Sequence, residues 1–358
     1  MDTTSEYLTS GGIRVIRTAT PVDSAGKSAV MDALVAAVGE RRGGVLSSGM
    51  EYPGRYSRWH LGYVDPCVEI VARGRRIAVR ALNGRGRVLL PAIAAAVRVT
   101  GEVTADDAEL IEVSVPPTDE VFAEEERSRQ PTVFTALRAI TELFRCADPH
   151  LGLYGAFGYD LAFQFEPIRQ RIPRPDEQRD LVLHLADEMI VVDRKLEVSA
   201  RMSYDFVVGP ESGAASTVGL PRGTEPTPVA TARELPPQPV PGAYAQVVRD
   251  AKEKFIQGDL FEVVPGHMMY GRCDAPAAFF ERLRHTNPAP YEFMFNLGDG
   301  EFLVGASPEM FVRVSGERVE TCPISGTIKR GRDALQDAEQ IRTLLNSAKD
   351  ESELTMCT

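Results

Sequence analysis

The segment GPESGAASTVGLPRGTEPTPVATARELPPQPVPG, residues 209–242, most limits what this chain can fold into. It is dense in Pro, Gly, Ser, Thr and Ala and poor in large apolar side chains. Such a stretch supplies no core and predicts a linker, partly polyproline II. The expected organisation is an N-terminal domain over 1–208, a linker over 209–242 and a second domain beginning at 243 and running to 358.

Before the linker, CVEIVARGRRIAVRAL and MIVVDRKLEVSARMSYDFVV each hold two β-rich runs around a charged turn, which predicts antiparallel hairpins. Between them TVFTALRAITELFR has apolar residues at helical spacing. After the linker, AYAQVVRDAKEKFIQGD places Val247, Val248, Ala251, Phe255 and Ile256 on one stripe and ends at Gly258, a good helix terminator. A strand LFEVV should follow. YEFMFNLGDGEFLVGAS and MFVRVSGERVETCPI predict hairpins turning at GDG and SGE, and DALQDAEQIRTLLNSAKDESEL predicts one helix to the end. The fold class is therefore α+β, with largely antiparallel sheets and packed helices.

At 358 residues the chain has ample material for a core. A net charge of −11 argues against a nucleic-acid surface or an anionic membrane as partner, although a local basic site still suits a small anionic substrate. The start MDTTSEYLTSGG lacks the basic and apolar regions of a signal peptide, and the longest apolar run, VLLPAIAAAV, is about half of a membrane span. Five dispersed cysteines without a CxxC pair fit a reducing cytoplasm. The sequence thus predicts a soluble cytoplasmic protein. DSAGKS at 23–28 imitates a phosphate-binding loop, but Pro21 stands where the motif needs a small residue, so a plain loop before a helix is expected. The five histidines have neither HExxH spacing nor a serine elbow nearby.

Two stretches carry chemistry. CPISGTIKRG offers backbone N–H groups, the hydroxyls of Ser325 and Thr327, and the cations Lys329 and Arg330, a set suited to a carboxylate ligand. In NSAKDESELTMCT, Asp350 and Glu353 lie three apart on a predicted helix, close enough to share one divalent cation. In isolation the first is an ordinary turn and the second a solvated helix face.

Together with FIQGDLFEVVP, NPAPYEFMF and GASPEMFV in this order, these stretches resemble the chorismate-utilising enzymes, specifically the aminase component of anthranilate synthase. The likeness runs from Gly258 through Glu353, with VLSSGMEYPGRYSRW and YGAFGYD matching upstream. The wording looks most like the large bacterial form fused to a C-terminal glutamine amidotransferase. Isochorismate-forming relatives carry a lysine where Glu262 stands, and aminodeoxychorismate-forming relatives carry one where Ser325 stands. Neither amine is present here, so direct attack of ammonia on chorismate, then pyruvate loss to anthranilate, is the implied reaction. A phenazine-type variant stopping at 2-amino-2-deoxyisochorismate, or a non-catalytic tryptophan-binding homologue, stays open.

The resemblance implies that Ser325, Gly326 and Thr327 bind substrate, and that Glu353 and Asp350 hold Mg2+, with Asp350 at a position where a glutamate is more usual. It implies a tryptophan inhibitor site at Ser48, Pro290, Tyr291, Glu292 and Phe293; here Ser47 replaces a typical glutamate and Glu292 an apolar residue. The 1–208 part would be regulatory and 243–358 the first part of a chorismate-binding catalytic domain. The remaining site elements are expected after Thr358, so the chain is expected to be an N-terminal fragment, nearly inactive alone, with no catalytic residue of its own assigned. The full-length protein would be a homo-oligomer supplied with ammonia by an amidotransferase domain or subunit.

Overall fold

Turns at residues that accept positive φ convert the β-rich runs into hairpins, as a computed structural model shows for residues 2–22, 27–50, 59–118, 120, 122–166, 168, 173–193, 195–230 and 234–357. Strands β1 (Thr3–Leu8) and β2 (Arg14–Pro21) precede helix α1 (Lys27–Val38), β3 (Gly43–Ser47) and β4 (Trp59–Val64). β5 (Val68–Arg73) turns into β6 (Arg76–Ala81) through Gly74, whose φ is +55°. Next come α2 (Gly84–Val97), β7 (Glu102–Asp106), β8 (Leu110–Ser114), α3 (Val133–Phe144), β9 (Leu153–Phe157) and β10 (Leu181–Leu185). β11 (Glu188–Asp193), β12 (Val198–Val208) and the short β13 (Ala215–Ser216) complete the first half. The second contains α4 (Ala243–Gln257), α5 (Pro276–Thr286), β14 (Tyr291–Asn296), β15 (Phe302–Ser307), β16 (Met310–Ser315), β17 (Arg318–Cys322), α6 (Ala334–Leu345) and α7 (Ala348–Cys357).

The fold is α+β. One antiparallel sheet runs β1-β2-β12-β11-β4-β3-β14-β15, with β13 on β12; a second runs β7-β8-β6-β5-β10-β9, and β16 and β17 form a separate pair. Helix α3 starts at a capping box, Thr132 with Thr135, and buries Val133, Ala136, Leu137, Ile140 and Phe144 along one face. That face joins Leu89 and Ile93 of α2 and Ile70, Val79 and Leu183 of the second sheet in one core. Each of these side chains larger than alanine contributes about 1.5–3 kcal/mol through burial.

The chain divides into two compact units: Met1–Ala230 with Ala275–Ala306, and Thr231–Asp274 with Ser307–Thr358. The boundary differs from the expected 208/243 division. Residues after the proline-rich stretch return to the first unit because β14 completes the edge of β3, burying Met294 and Phe295.

The expected linker is also partly anchored, by polar groups rather than apolar ones. β13 pairs with β12, Thr217 Oγ accepts from Phe206 N at 2.8 Å, and Thr227 N donates to Glu40 O at 2.8 Å. Asn296 Nδ2 donates to Thr227 O at 2.9 Å, so side-chain poverty did not prevent packing. Arg85 at the start of α2 reaches into this region, its guanidinium paired with Asp187 and donating to Thr217 O at 2.7 Å and Tyr204 O at 2.6 Å.

Two further expectations fail. LFEVV is not a strand, having no ladder partner among the described residues, although α4 ends as expected at Gly258 in the left-handed region. The C-terminal helix is two helices, because Asn346 folds back onto Arg342 O at 2.8 Å and Ser347 Oγ accepts from Asp350 N at 3.3 Å, capping the second. Residues 23–26 of DSAGKS lie outside the described residues.

His184 on β10 is fully buried, with Nδ1 3.1 Å from Tyr63 Oη and Nε2 3.8 Å from Glu69 Oε1. Burial holds its pKa below 6.5, against the opposing pull of Glu69. The unfolded chain therefore takes up a proton first as pH falls. Stability from this residue is present above about pH 6.5 and declines below it, by up to about 1.4 kcal/mol per pH unit. Urea titrations of His184→Gln should show a shallower loss of stability between pH 7 and pH 5 than the parent chain; parallel curves would contradict the assignment.

Candidate substrate and effector sites

The SGT turn and the acidic helix, 25 residues apart, meet within the second unit. Ser325 Oγ donates to the Asp350 carbonyl at 3.2 Å. Gly326, with φ +28°, lies so close that a Cβ there would overlap the Asp350 carboxylate. Ile324 N donates to Glu309 Oε1 at 3.2 Å, tying the same turn to the GASPEM strand end. Sequence reasoning quoted GASPEM but gave Glu309 no role; its position directly after Pro308, where the strand restarts, was the available signal. Thr327 is exposed and stands apart from these contacts.

Asp350 and Glu353 both pair with the exposed ammonium of Lys349, which is 3.0 Å from Glu353 Oε2 and 3.6 Å from Asp350 Oδ1. The hydrogen bond to Glu353 and the two negative charges raise the Lys349 pKa. Among the described residues no group of three or more His, Cys, Asp and Glu side chains is arranged to hold a metal ion. Arg330, expected to serve a ligand carboxylate, is instead engaged by Asp337 through two nitrogens, Nε at 2.7 Å, and Gly331 N donates to the same carboxylate at 2.9 Å. These contacts, the guanidinium first, hold Asp337 down to about 2. Local pairing across the start of α6 removes this cation from the turn, leaving Lys329 exposed.

In the first unit, β14 carries Tyr291, Glu292 and Phe293 and pairs with β3, which Ser48 follows; of the five expected effector residues only Glu292 lines the pocket beside this strand pair. Glu292 is the direct ladder partner of Ser47, and Phe293 of Leu46. Alternation along the strand divides them between faces. Phe293 packs against the core with Leu46, whereas Glu292, on the opposite face, is buried but polar. Its Oε2 accepts from Ser47 Oγ at 3.0 Å and from Arg284 Nε at 3.0 Å, and its Oε1 accepts from Ala289 N at 3.2 Å. Ser48 Oγ donates to Met50 O at 2.7 Å, Pro290 is buried and Tyr291 half-buried. Residues 51–58 of the matching upstream segment lie outside the described residues. A pocket of about 340 Å³ opens beside Glu292, lined by Gly49, Glu281, Arg284, His285 and Pro288.

The family described as chorismate binding enzyme matches residues 96–358, a span that contains the whole turn-and-helix contact. The chain belongs to this family. It is 51% identical over 357 residues to the anthranilate synthase of Azospirillum brasilense, covering 98% of this chain and 48% of that protein. It is 32% identical over 307 residues to anthranilate synthase component 1 of Vibrio parahaemolyticus, covering 80% of this chain and 55% of that one. With component 1 of Vibrio cholerae the figures are 30%, 81% and 58% over 305 residues. The chain spans about half the length of the curated relatives it matches. The family relation agrees with the sequence resemblance, and no helix among the described residues is long and apolar enough to cross a membrane.

Proposed function

We propose that this chorismate binding enzyme family chain contributes to anthranilate formation: ammonia adds to chorismate, the C4 hydroxyl leaves as water, and pyruvate is then eliminated. The observation that carries the reading is the closure of the Ser325-Gly326 turn on Asp350. A turn with backbone N–H groups and hydroxyls, set against an acidic helix, suits a carboxylate substrate that is met jointly by protein donors and a cation. Glu262, exposed in the LFEVV segment, and Ser325 supply no amine for the hydrolytic or covalent variants of the chemistry.

Asp350 and Glu353 are the residues that would hold Mg2+. Their carboxylate oxygens suit a hard cation that keeps part of its water. A divalent ion held there would supply Lewis acidity for departure of the hydroxyl. Replacing Glu353 by Gln is expected to raise the Mg2+ concentration for half-maximal rate at least about 10-fold, a loss of about 1.4 kcal/mol; an unchanged requirement would remove Glu353 from the metal site. Ammonia is assigned to a glutamine amidotransferase domain or subunit, and L-tryptophan to the β3–β14 pocket as inhibitor.

The function is tested with a chimera in which this chain replaces the matched part of the Azospirillum brasilense anthranilate synthase. The chimera should restore growth of a strain lacking anthranilate synthase on medium without tryptophan. Growth only when anthranilate is supplied would contradict the reading.

A further inference from the structure

The hairpin of β5 and β6 turns at Gly74 and Arg75, and the three arginines around that turn are used differently. Arg75 is engaged by the backbone: its Nε donates to Val115 O at 2.8 Å, and its Nη2 to Pro116 O at 3.0 Å and to Pro131 O. Arg73 and Arg76 are direct ladder partners, so both guanidiniums leave the same face of the sheet. Like charges set opposite each other in this way are destabilising. No carboxylate among the described residues pairs with either of them. Arg73 Nε donates to Glu177 O at 3.3 Å, which leaves its two Nη groups unpartnered among the described residues, and Arg76 is exposed. The turn that carries them is fixed, since Gly74 N donates to Asp180 Oδ2 at 2.6 Å and Gly74 O accepts from Gln164 Nε2 at 2.8 Å. Both arginines line a pocket of about 330 Å³, together with Glu112, Asp176 and Glu177. Thr104 Oγ1 steadies Glu112 by donating to its Oε1 at 2.7 Å.

We propose that Arg73 and Arg76 form a binding site for a small phosphomonoester that also carries hydroxyl groups, such as a sugar phosphate. Two guanidiniums balance the charge of about −1.5 to −2 that a phosphomonoester carries near neutral pH, and their planar forks match its terminal oxygens. A monocarboxylate would neutralise only one of the two charges. The carboxylates of Glu112, Asp176 and Glu177 accept hydrogen bonds and donate none, so they suit hydroxyl groups and oppose a bare anion. The pocket therefore selects a ligand that has both parts, and its volume is at the small end of ligand sites. The site lies on the second sheet of the first unit and uses none of the residues assigned to substrate, metal or effector.

Calorimetry on the 358-residue chain in phosphate-free buffer, with inorganic phosphate, ribose 5-phosphate and ribose as ligands, tests the site. Ribose 5-phosphate should bind at least about 10-fold more tightly than phosphate, and ribose should not bind. Arg76→Gln, a change at an exposed position, should weaken ribose 5-phosphate at least about 10-fold. Arg80→Gln, on the same strand but outside the pocket, removes an equal charge and should leave the affinity within about two-fold of the parent. Glu112→Ala should erase the advantage of ribose 5-phosphate over phosphate. Equal losses in the two arginine variants would reduce the effect to net charge and overturn the site, as would the failure of both phosphates to bind at millimolar concentration. Equal affinity of the parent chain for phosphate and ribose 5-phosphate would overturn the assignment of the carboxylates to hydroxyl groups.

Discussion

Replacing Arg85 by Met is expected to cost about 3–5 kcal/mol of stability, the usual penalty for orphaning a buried charge. Arg85 and Asp187 side chains are each 1% exposed, and Arg85 Nη2 also pairs with Asp205 at 2.9 Å. Burial alone raises the Asp187 pKa, with Arg85 and then Arg222 opposing it. Removing the guanidinium leaves Asp187 with Arg222, 3.3 Å away and 30% exposed, as its remaining ion-pair partner among the described residues. It also releases the carbonyls of Thr217, Leu220 and Tyr204, loosening residues 217–220 from β12. Urea unfolding monitored by far-UV circular dichroism should show the loss. The double variant Arg85→Met with Asp187→Leu should recover part of it, because it leaves no buried carboxylate unpaired, while the carbonyls of Thr217 and Leu220 stay without the Arg85 donor. A single variant within 1 kcal/mol of the parent would mean that the network is not holding α2 to the sheet.

The second large effect concerns the proposed substrate turn. Gly326→Val should lower the rate of the Azospirillum chimera at least about 100-fold, the scale of loss that follows a displacement of roughly 1 Å at a reacting site. A branched side chain at φ +28° is strained, and it has no room beside Asp350. The turn must back away, breaking the Ser325–Asp350 contact. Val319→Thr, at an exposed position of β17 in the same unit, controls for general disturbance of the fold. A Gly326→Val rate within about two-fold of the parent would show that the turn does not need its contact with the helix.

The hairpins, α3 and α4 were legible because period-2 and helical patterns ended at residues with defined backbone preferences: Gly74, Thr132, Gly258 and Gly316. What misled was composition used as a proxy for packing. Residues 215–227 carry little apolar surface, yet Thr217 and Thr227 are buried through hydrogen bonds. Capping chemistry inside a long helical pattern was equally easy to overlook, since Asn346 and Ser347 read as tolerated interior residues until their side chains were seen to close and open helices. The proposed substrate turn and the acidic helix were legible from motif resemblance, but their mutual contact spans 25 residues and has no local signal. Arg284 had none either, because its ion pair with Glu292 depends on a strand partner pair, Ser47 and Glu292, separated by 245 residues.

Product analysis tests the central claim most directly. The chimera is given chorismate, Mg2+ and 15N-labelled ammonium, and the products are followed by anthranilate fluorescence and mass spectrometry. Labelled anthranilate together with pyruvate is the expected result. Accumulation of labelled 2-amino-2-deoxyisochorismate without pyruvate, or release of unlabelled isochorismate, would contradict it.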